Sequence, residues 1–404
     1  MKLGKLVLES QQSVGSLVRV LTCLGFQFRL KLLPVWLASL TLLLPAPGRC
    51  ASGQLDTSFN ASLDGVVHAC AVNPGSGKII VAGAFSHVGA YARQGIAALN
   101  SDGSPDSSFY LYPALTGTVK CFAIQPDFKI VFAETIYSSK SGTYSSKVSR
   151  LLTNGTTDAT FSAANFNGRV NSMCIDTNDG KILVAGDYTT VNGFGPSYIS
   201  RLTSSGTVDG TFYPNANAPV NVVVVNYPSR TIAIGGQFTW VAGGTHYYFE
   251  SLSLTGTHNS NFLNSPDPDS YVTAAVAKDL ATIVGGSFAN VDGLSRLRLA
   301  RFDYNGGVGD LGSFTPYLPL SPVLALSGDP TNPANLYVGG LFSFTVNGVS
   351  YQSIVRYYQD SQDLSFCAGN VNGAVNAIFV QGDGKVLIGG DFSQPHNYIA
   401  RLLP

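Results

Sequence analysis

The chain reads as an all-β protein, a seven-bladed β-propeller built of four-stranded antiparallel blades. Three observations predict it. First, a small-Gly-x-aromatic step closes an apolar run six times: Ala82-Gly83-Ala84-Phe85, Ala185-Gly186-Asp187-Tyr188, Gly235-Gly236-Gln237-Phe238, Gly285-Gly286-Ser287-Phe288, Gly339-Gly340-Leu341-Phe342 and Gly389-Gly390-Asp391-Phe392. A worn copy, Phe132-Ala133-Glu134-Thr135, fills the one gap, so the landmarks at 83, 133, 186, 236, 286, 340 and 390 lie 50 to 54 residues apart. That period belongs to propellers, solenoids and arrays. Second, each period holds four short strand-like segments and no window suited to a long helix. Third, the two ends of the repeat region carry complementary fragments of one period.

Within a repeat the first segment is apolar, as in Val67-His68-Ala69-Cys70-Ala71-Val72 and Val375-Asn376-Ala377-Ile378-Phe379-Val380. The second is a β-branched run into the Gly step, such as Lys181-Ile182-Leu183-Val184-Ala185-Gly186. A tight turn separates them, clearest at Asn178-Asp179-Gly180-Lys181 and Gly382-Asp383-Gly384-Lys385, where Asp-Gly supplies the positive φ of a short hairpin. The third segment is Ile199-Ser200-Arg201-Leu202 or Leu299-Ala300-Arg301-Phe302. A further Gly turn leads to the fourth, an Asp-x-x-Phe strand at Asp106–Phe109, Asp158–Phe161, Asp209–Phe212 and Asp363–Phe366. Four antiparallel strands in about fifty residues is the size of one propeller blade.

One fourth strand, Leu55-Asp56-Thr57-Ser58-Phe59, precedes the first full repeat, and the chain ends on a third strand, Ile399-Ala400-Arg401-Leu402. The Asp56–Phe59 strand is therefore expected to pair with Ile399–Leu402 and close the ring, which removes exposed strand edges. Residues 51–404 form a single domain in this reading. Arg150 precedes Asp158 by eight residues, Arg201 precedes Asp209 by eight, and Arg401 would meet Asp56 across the closure. In the fourth repeat both partners are replaced, by Ser251 and Asn259. A structural Arg–carboxylate pair between third and fourth strands follows. Ala98 opposite Asp106 is the exception.

The order Gly-Gly-x-Phe, Ala-Arg-Leu, Asp-Gly and Asp-x-Ser-Phe resembles the delta-60 repeat family of bacterial β-propellers, a domain of unknown function, over residues 54–404. The resemblance implies a β-propeller fold, frequent export or surface association, and no catalytic residues to carry over. Glu134-Thr135 in the second repeat and Ser251 and Asn259 in the fourth depart from the pattern.

Residues 1–50 fall outside the repeat. Lys2, Lys5, Arg19, Arg29 and Lys31 precede an apolar stretch from Leu32 to Leu44, and Pro45-Ala46-Pro47-Gly48-Arg49-Cys50-Ala51 ends it. This is the order of a secretory signal, over-long before Lys31 as though the start lay upstream of the real one, and its apolar core is short for a membrane span. Cys50 invites a lipoprotein reading that the preceding Arg49 opposes. The expected location is extracellular, periplasmic or cell-surface. The net charge of the whole chain is zero, while the part after residue 50 carries 18 basic and 23 acidic residues. With no basic stripe, nucleic acid is excluded as an expected partner. The expected mature form is a monomer without a membrane span, and a chain this long builds its core without needing disulfides.

Few residues invite chemistry. Cys70, Cys121 and Cys174 fall in successive first strands and read as small buried residues. None of the five histidines stands in a metal-ligand spacing or in a recognisable constellation with a carboxylate, so no metal and no cofactor is expected. Gly75-Ser76-Gly77-Lys78 reads as a hairpin turn, lacking the full phosphate-loop spacing. The richest surface joins the fourth and fifth repeats, with Trp240, His246, Tyr247 and Tyr248 on one loop and Asp267, Asp269 and Tyr271 on the next. Aromatics beside carboxylates can bind a sugar or a peptide. The leading expectation is an exported, non-catalytic binding or adhesion module for a glycan or protein. A polysaccharide hydrolase or lyase would need two converging carboxylates, for which Asp267 and Asp269 offer weak support. A purely structural envelope protein would need no ligand.

Overall fold

The computed structural model describes residues 52–404 apart from 112–113, 228, 310–320, 347, 360 and 370. The expected secretory leader and the Cys50 question lie outside the described residues. Within them every regular element is a strand, and no helix is long and apolar enough to cross a membrane.

Among the described residues the strands form seven antiparallel sheets of three or four strands in chain order, and three two-stranded hairpins. Sheet 1 comprises Val67–Val72, Ile79–Gly83 and Ile96–Leu99. Sheet 2 comprises Thr118–Ile124, Ile130–Ser138, Thr143–Leu151 and Ala164–Phe166. Sheet 3 is Val170–Ile175, Ile182–Gly186 and Ile199–Leu202. Sheet 4 is Val220–Asn226, Thr231–Gly236 and Phe249–Leu252. Sheet 5 is Val272–Lys278, Ala281–Gly286, Leu299–Phe302 and Val308–Gly309. Sheet 6 is Val323–Gly328, Asn335–Val346, Val349–Tyr358 and Ser361–Gln362. Sheet 7 is Ala374–Val380, Val386–Asp391 and Ile399–Leu402. Small two-stranded hairpins, such as Trp240–Val241 with Gly244–Thr245, project between second and third strands.

The expected Asp-x-x-Phe strand is corrected. It makes a single ladder bridge, as Leu99 to Pro105, Leu151 to Thr157, Leu202 to Val208 and Leu252 to His258, and then turns. The aspartate causes the turn. Asp106 Oδ1 accepts the Ser108 N–H at 2.9 Å and the Ser108 hydroxyl at 2.7 Å, and Asp158 binds Thr160 in the same way. A side chain that caps its own chain two residues on competes with a continuing ladder.

The Gly step has a steric cause. Gly83, Gly186 and Gly390 pair with Val67, Val170 and Val375, and each of these valines is followed by a register shift. The bulge pushes a carbonyl against the glycine. A Cβ at Gly83 would sit 2.0 Å from the Val66 oxygen, and one at Gly390 would sit 1.9 Å from the Ala374 oxygen. No larger residue fits without moving backbone.

Neighbouring first strands pack side by side in chain order, and Ala374–Val380 of sheet 7 packs against Val67–Val72 of sheet 1. The contact repeats in detail. A Cβ at Gly235 would meet Val272 Cγ1 at 2.3 Å, at Gly285 it would meet Val323 Cγ1 at 2.4 Å, and at Gly389 it would meet Val67 Cγ1 at 2.5 Å. Hydrophobic clusters fill the spaces between sheets, and the one joining sheets 7 and 1 contains Phe59, Val67, Leu99, Leu387 and Ile399. Phe59 is fully buried, which stabilises by about 3 kcal/mol. Leu55 bridges Leu402, the Asp56 N–H donates to the Arg401 carbonyl at 2.8 Å, and the Leu403 N–H donates to Gln54 at 2.7 Å. The same amide bond recurs within the other repeats, from Asp158 to Arg150 at 2.9 Å and from Asp209 to Arg201 at 2.8 Å.

Candidate ligand-binding site

The bulges that require glycine also build a site. In each first strand the residue after the valine is displaced from the ladder, and a bulge re-aims its side chain. These residues are His68, Lys120, Asn171, Asn221, Thr273, Leu324 and Asn376, one from every sheet. Together with Gln237 and Tyr271 they line one cavity of about 450 Å³. A further space of about 270 Å³ adjoins it between the first strands, lined also by small residues such as Ala69, Ser172, Ala274, Ala325 and Ala377.

The lining is polar and held by hydrogen bonds between neighbouring sheets. Lys120 Nζ donates to Asn171 Oδ1 at 2.9 Å, Asn221 Nδ2 to the Val272 carbonyl at 2.9 Å, and Thr273 Oγ1 to the Val323 carbonyl at 2.5 Å. These bonds fix rotamers before any ligand arrives. Burial lowers the Lys120 pKa from its ordinary value, and Arg169 lowers it further. Burial likewise lowers that of His68, with Lys120 adding to the effect. The imidazole is thus biased towards its neutral form, able to donate and accept. A cavity of this size with converging amides, a hydroxyl, an imidazole and one ammonium has the form of a small polar-ligand site.

The loop residues singled out from sequence divide into three groups. Tyr271 lines the cavity mouth and is 45% exposed. Tyr248 meets it edge-on with ring centroids 5.4 Å apart, and Tyr247 lies 6.3 Å beyond. These three tyrosines form a rim. Trp240 sits on the adjoining hairpin, partly exposed. The two aspartates serve backbone. Asp267 Oδ1 accepts the Tyr247 N–H at 3.0 Å, and burial raises the Asp267 pKa, helped by Asp292 and Glu250. Asp269 Oδ1 accepts the Ala289 N–H at 2.8 Å, and its Oδ2 accepts Asn290 Nδ2 at 2.9 Å. Asn217 plays the same capping part for Thr239 and Trp240, and Asp64 for Ser86 and His87.

His246 meets Glu250, which corrects the expectation that no histidine stands in a constellation with a carboxylate. Its Nδ1 lies 2.7 Å from Glu250 Oε2, and His258 Nδ1 lies 3.3 Å from Glu250 Oε1. His87 Nδ1 similarly reaches Asp64 Oδ2 at 3.1 Å. His246 and Glu250 stand four residues apart, whereas His258 and Asp64 reach their partners from other segments of the chain.

The repeated arginines lie in buried clasps. Arg150 Nε donates to Asp158 at 2.9 Å, Arg201 Nε to Asp209 at 2.9 Å, and Arg401 Nε to Asp56 at 2.8 Å. Each Nη1 also donates to a carbonyl in the next repeat, Arg150 to Ser204, Arg201 to Leu254 and Arg401 to Ser101. Each guanidinium stacks about 5 Å above the phenylalanine that ends the same motif, Phe161, Phe212 or Phe59. Arg356 and Asp363 form a clasp at 2.8 Å that the eight-residue rule passes over because they stand seven apart. Sheet 1 lacks the arginine, and there Lys78 Nζ meets Asp106 at 3.3 Å. In sheet 4 the pair becomes a bond from Asn259 Nδ2 to Ser251 Oγ at 3.1 Å.

Cys70 and Cys121 are buried free thiols whose pKa values burial pushes up to about 12, and Cys174 is a free thiol pushed up to about 11. Thiols so far from ionisation are poor nucleophiles. Cys367 is disulfide-bonded.

The sequence missed the ring of bulged residues. Its signal was present: a nearly constant valine followed by a position that varies between His, Lys, Asn, Thr and Leu.

No curated protein matches the chain. Among solved structures it is similar to the extracellular domain of a protein assigned as a one-component system of B. thetaiotaomicron, at 13% identity and a TM-score of 0.49, over 85% of this chain and 39% of that one. It therefore spans about two fifths of that chain's length. It is similar also to a streptogramin B lyase, at 12% identity and a TM-score of 0.48, over 85% of this chain and 97% of that one. The model of a β-propeller domain of unknown function, DUF5122, matches five segments, residues 75–109, 125–161, 177–212, 282–307 and 381–404. The chain is thus all-β and propeller-like, and in these five repeats it is similar to a bacterial β-propeller domain of unknown function.

Proposed function

We propose that this chain is a seven-bladed propeller closed through its two ends, exported from the cell, and that it binds a glycan without catalysis in the central cavity. The observation that carries the reading is the ring of bulged residues. One side chain from each of seven sheets converges on a single cavity of about 450 Å³, enough for one or two sugar rings. Asn171, Asn221, Asn376, Thr273, His68 and Lys120 offer the donors and acceptors that hydroxyl groups require. The rim tyrosines offer flat apolar faces.

Closure draws support from the Leu55–Leu402 bridge, the Arg401–Asp56 clasp and the Gly389–Val67 contact, each of which has a counterpart inside other repeats. Export draws support from the leader-like residues 1–50. A non-catalytic role draws support from Asp267 and Asp269, the only carboxylates the sequence offered as a pair, which both serve as caps of backbone amides.

A glycan and polysaccharide array probed with the intact protein tests this, alongside an Asn171→Ala/Asn376→Ala variant and a Tyr247→Ala/Tyr248→Ala variant. Binding abolished by the first pair and weakened several-fold by the second is the expected result. Folded wild-type protein that binds no glycan would overturn the reading and leave a protein ligand or a structural role.

A further inference from the structure

We propose that His246, Glu250 and His258 form a site for one divalent transition metal of the zinc class, clamping the outer part of sheet 4. This site shares no residue with the central cavity.

The three side chains come from three segments. His246 follows the Trp240–Thr245 hairpin, Glu250 lies on the third strand opposite Ile234, and His258 bridges Leu252 at the start of the fourth segment. Their candidate ligand atoms lie within 4.8 Å of one another. His246 Nδ1 to Glu250 Oε2 is 2.7 Å and His258 Nδ1 to Glu250 Oε1 is 3.3 Å. Yet His246 Nδ1, Glu250 Oε2 and His258 Nδ1 are all buried atoms without a hydrogen-bond partner. The 3.3 Å between His258 Nδ1 and Glu250 Oε1 is the separation of two ligands on a shared tetrahedral ion at 2.0–2.1 Å, and the 2.7 Å approach of His246 would have to widen to the same value on binding.

Glu250 is fully buried. A carboxylate in that state must be paired or bound to a metal. Its Oε1 accepts the Ser251 N–H at 2.6 Å and also faces His258 Nδ1, while Oε2 faces His246 Nδ1. The two rings stack in parallel, 7° apart with centroids at 5.3 Å, so both Nδ1 atoms reach the same carboxylate.

Comparison among the repeats isolates the cluster. Glu250 stands opposite Ile234 as Ala97 stands opposite Val81, Ser200 opposite Val184 and Ala300 opposite Val284. His258 takes the bridge position of Pro105, Thr157 and Val208. The His246 amide donates to Thr239 as those of Arg93 and Arg296 donate to Ser86 and Ala289. Three positions that are small, apolar or differently charged in those repeats have become two imidazoles and a carboxylate in sheet 4. The same sheet has Ser251 and Asn259 in place of an Arg–Asp clasp, immediately beside two of the ligands. A metal held by third strand, fourth segment and hairpin would tie together the parts that the clasp ties elsewhere. Two imidazoles and a carboxylate, without thiolate, suit zinc and its neighbours. A fourth position remains for water, beside the half-exposed His258.

The test uses the full-length protein stripped with chelator, then titrated with Zn²⁺ and with Co²⁺. One ion per chain is expected, with a raised melting temperature and the visible absorption of tetrahedral Co²⁺. The His246→Ala/His258→Ala variant should lose uptake at least a hundredfold. X-ray absorption of the zinc-loaded wild type keeps the test decisive if that variant does not fold, and two imidazoles in the first shell are expected. Folded wild type that takes up no stoichiometric ion, uptake unchanged in the folded variant, or a first shell without imidazole would each overturn the proposal.

Discussion

Arg401 Nε donates to Asp56 Oδ2 at 2.8 Å across 345 residues of chain. Both side chains are nearly inaccessible, 6% and 7% exposed, and Lys385 Nζ adds a contact to the same oxygen at 3.0 Å. Arg401 also reaches the Ser101 carbonyl and lies over the Phe59 ring. One guanidinium therefore touches the segment ahead of the first sheet, the first repeat and the last strand. Removing it leaves a buried carboxylate with only Ser58 and Lys385 as partners, for which a loss of about 3 kcal/mol is expected. Arg401→Ala should lower stability by that amount in urea titration and speed hydrogen exchange at the Asp56 and Leu403 amides. A loss below about 0.5 kcal/mol would show that packing and backbone hydrogen bonds hold the ends without the clasp.

The clasps make stability depend on acid. Burial alone would raise the Asp209 pKa, but the Thr211 hydroxyl and amide together with Arg201 lower it from 3.8 to about 2. Asp56 is lowered too, against the effect of burial, by Ser58, Lys385 and Arg401, and Asp158 chiefly by Thr160. A folded value below the unfolded one means that the unfolded chain binds the proton more tightly. The stabilisation is then complete above about pH 4–5 and is lost as pH falls towards 2. For Asp209 it amounts to about 2 kcal/mol. Stability measured between pH 5 and pH 2 should fall steadily in wild type, and less steeply in Asp209→Asn, which has lost the titrating group. Parallel curves would refute the assignment.

Sheet 1 gives a test by gain. Ala98 occupies the arginine position, with Asp106 buried opposite and Phe109 fully buried beneath. Lys78 is the cation that meets the carboxylate there, at 3.3 Å, beside the Ser108 amide and hydroxyl. Ala98→Arg should restore the guanidinium and stabilise by about 1 kcal/mol, which raises the melting temperature by a few degrees. A fall in melting temperature would mean that sheet 1 has closed over the space that the other clasps occupy.

Much of this fold was legible because its period was written in residues with steric or electrostatic duties. The Gly step marked the bulge, and the Arg and Asp spacing marked the clasp. Other parts were hidden because they depend on register. The Asp-x-Ser-Phe segment looked like a strand because its aromatic is buried, yet its aspartate bends it into a turn. Glu134 looked like decay at a glycine position. In sheet 2 the irregularity runs from Val119 to Phe122, wider than in other sheets, and the carboxylate accepts the amides of Thr116 at 2.8 Å and Gly117 at 3.0 Å. The histidines looked isolated because His246 and His258 are twelve residues apart and come together, with their rings stacked over Glu250, only in the folded sheet. The ring around the cavity was invisible for the same reason, since seven residues some fifty positions apart converge only when the strands stand side by side.

The last prediction joins the glycine to the cavity. Gly390 lies opposite Val375, and the shift that follows this pair displaces Asn376 into the ring. A methyl group at Gly390 would stand 1.9 Å from the Ala374 carbonyl oxygen. That contact cannot be relieved by a rotamer, because both atoms belong to the backbone or are fixed to it. The strand must separate or the bulge must flatten, and either change moves Asn376. Gly390→Ala should therefore destabilise by about 2–4 kcal/mol, in the range of other severe steric substitutions. Gly382→Ala is the control, since a Cβ there meets nothing within 4 Å and its φ is not positive. It should be neutral or slightly stabilising, because it only reduces the freedom of the unfolded chain. If Gly390→Ala proves as mild as Gly382→Ala in denaturant titration, the glycine does not exist to seat the bulge, and the ring of cavity residues does not owe its geometry to that glycine.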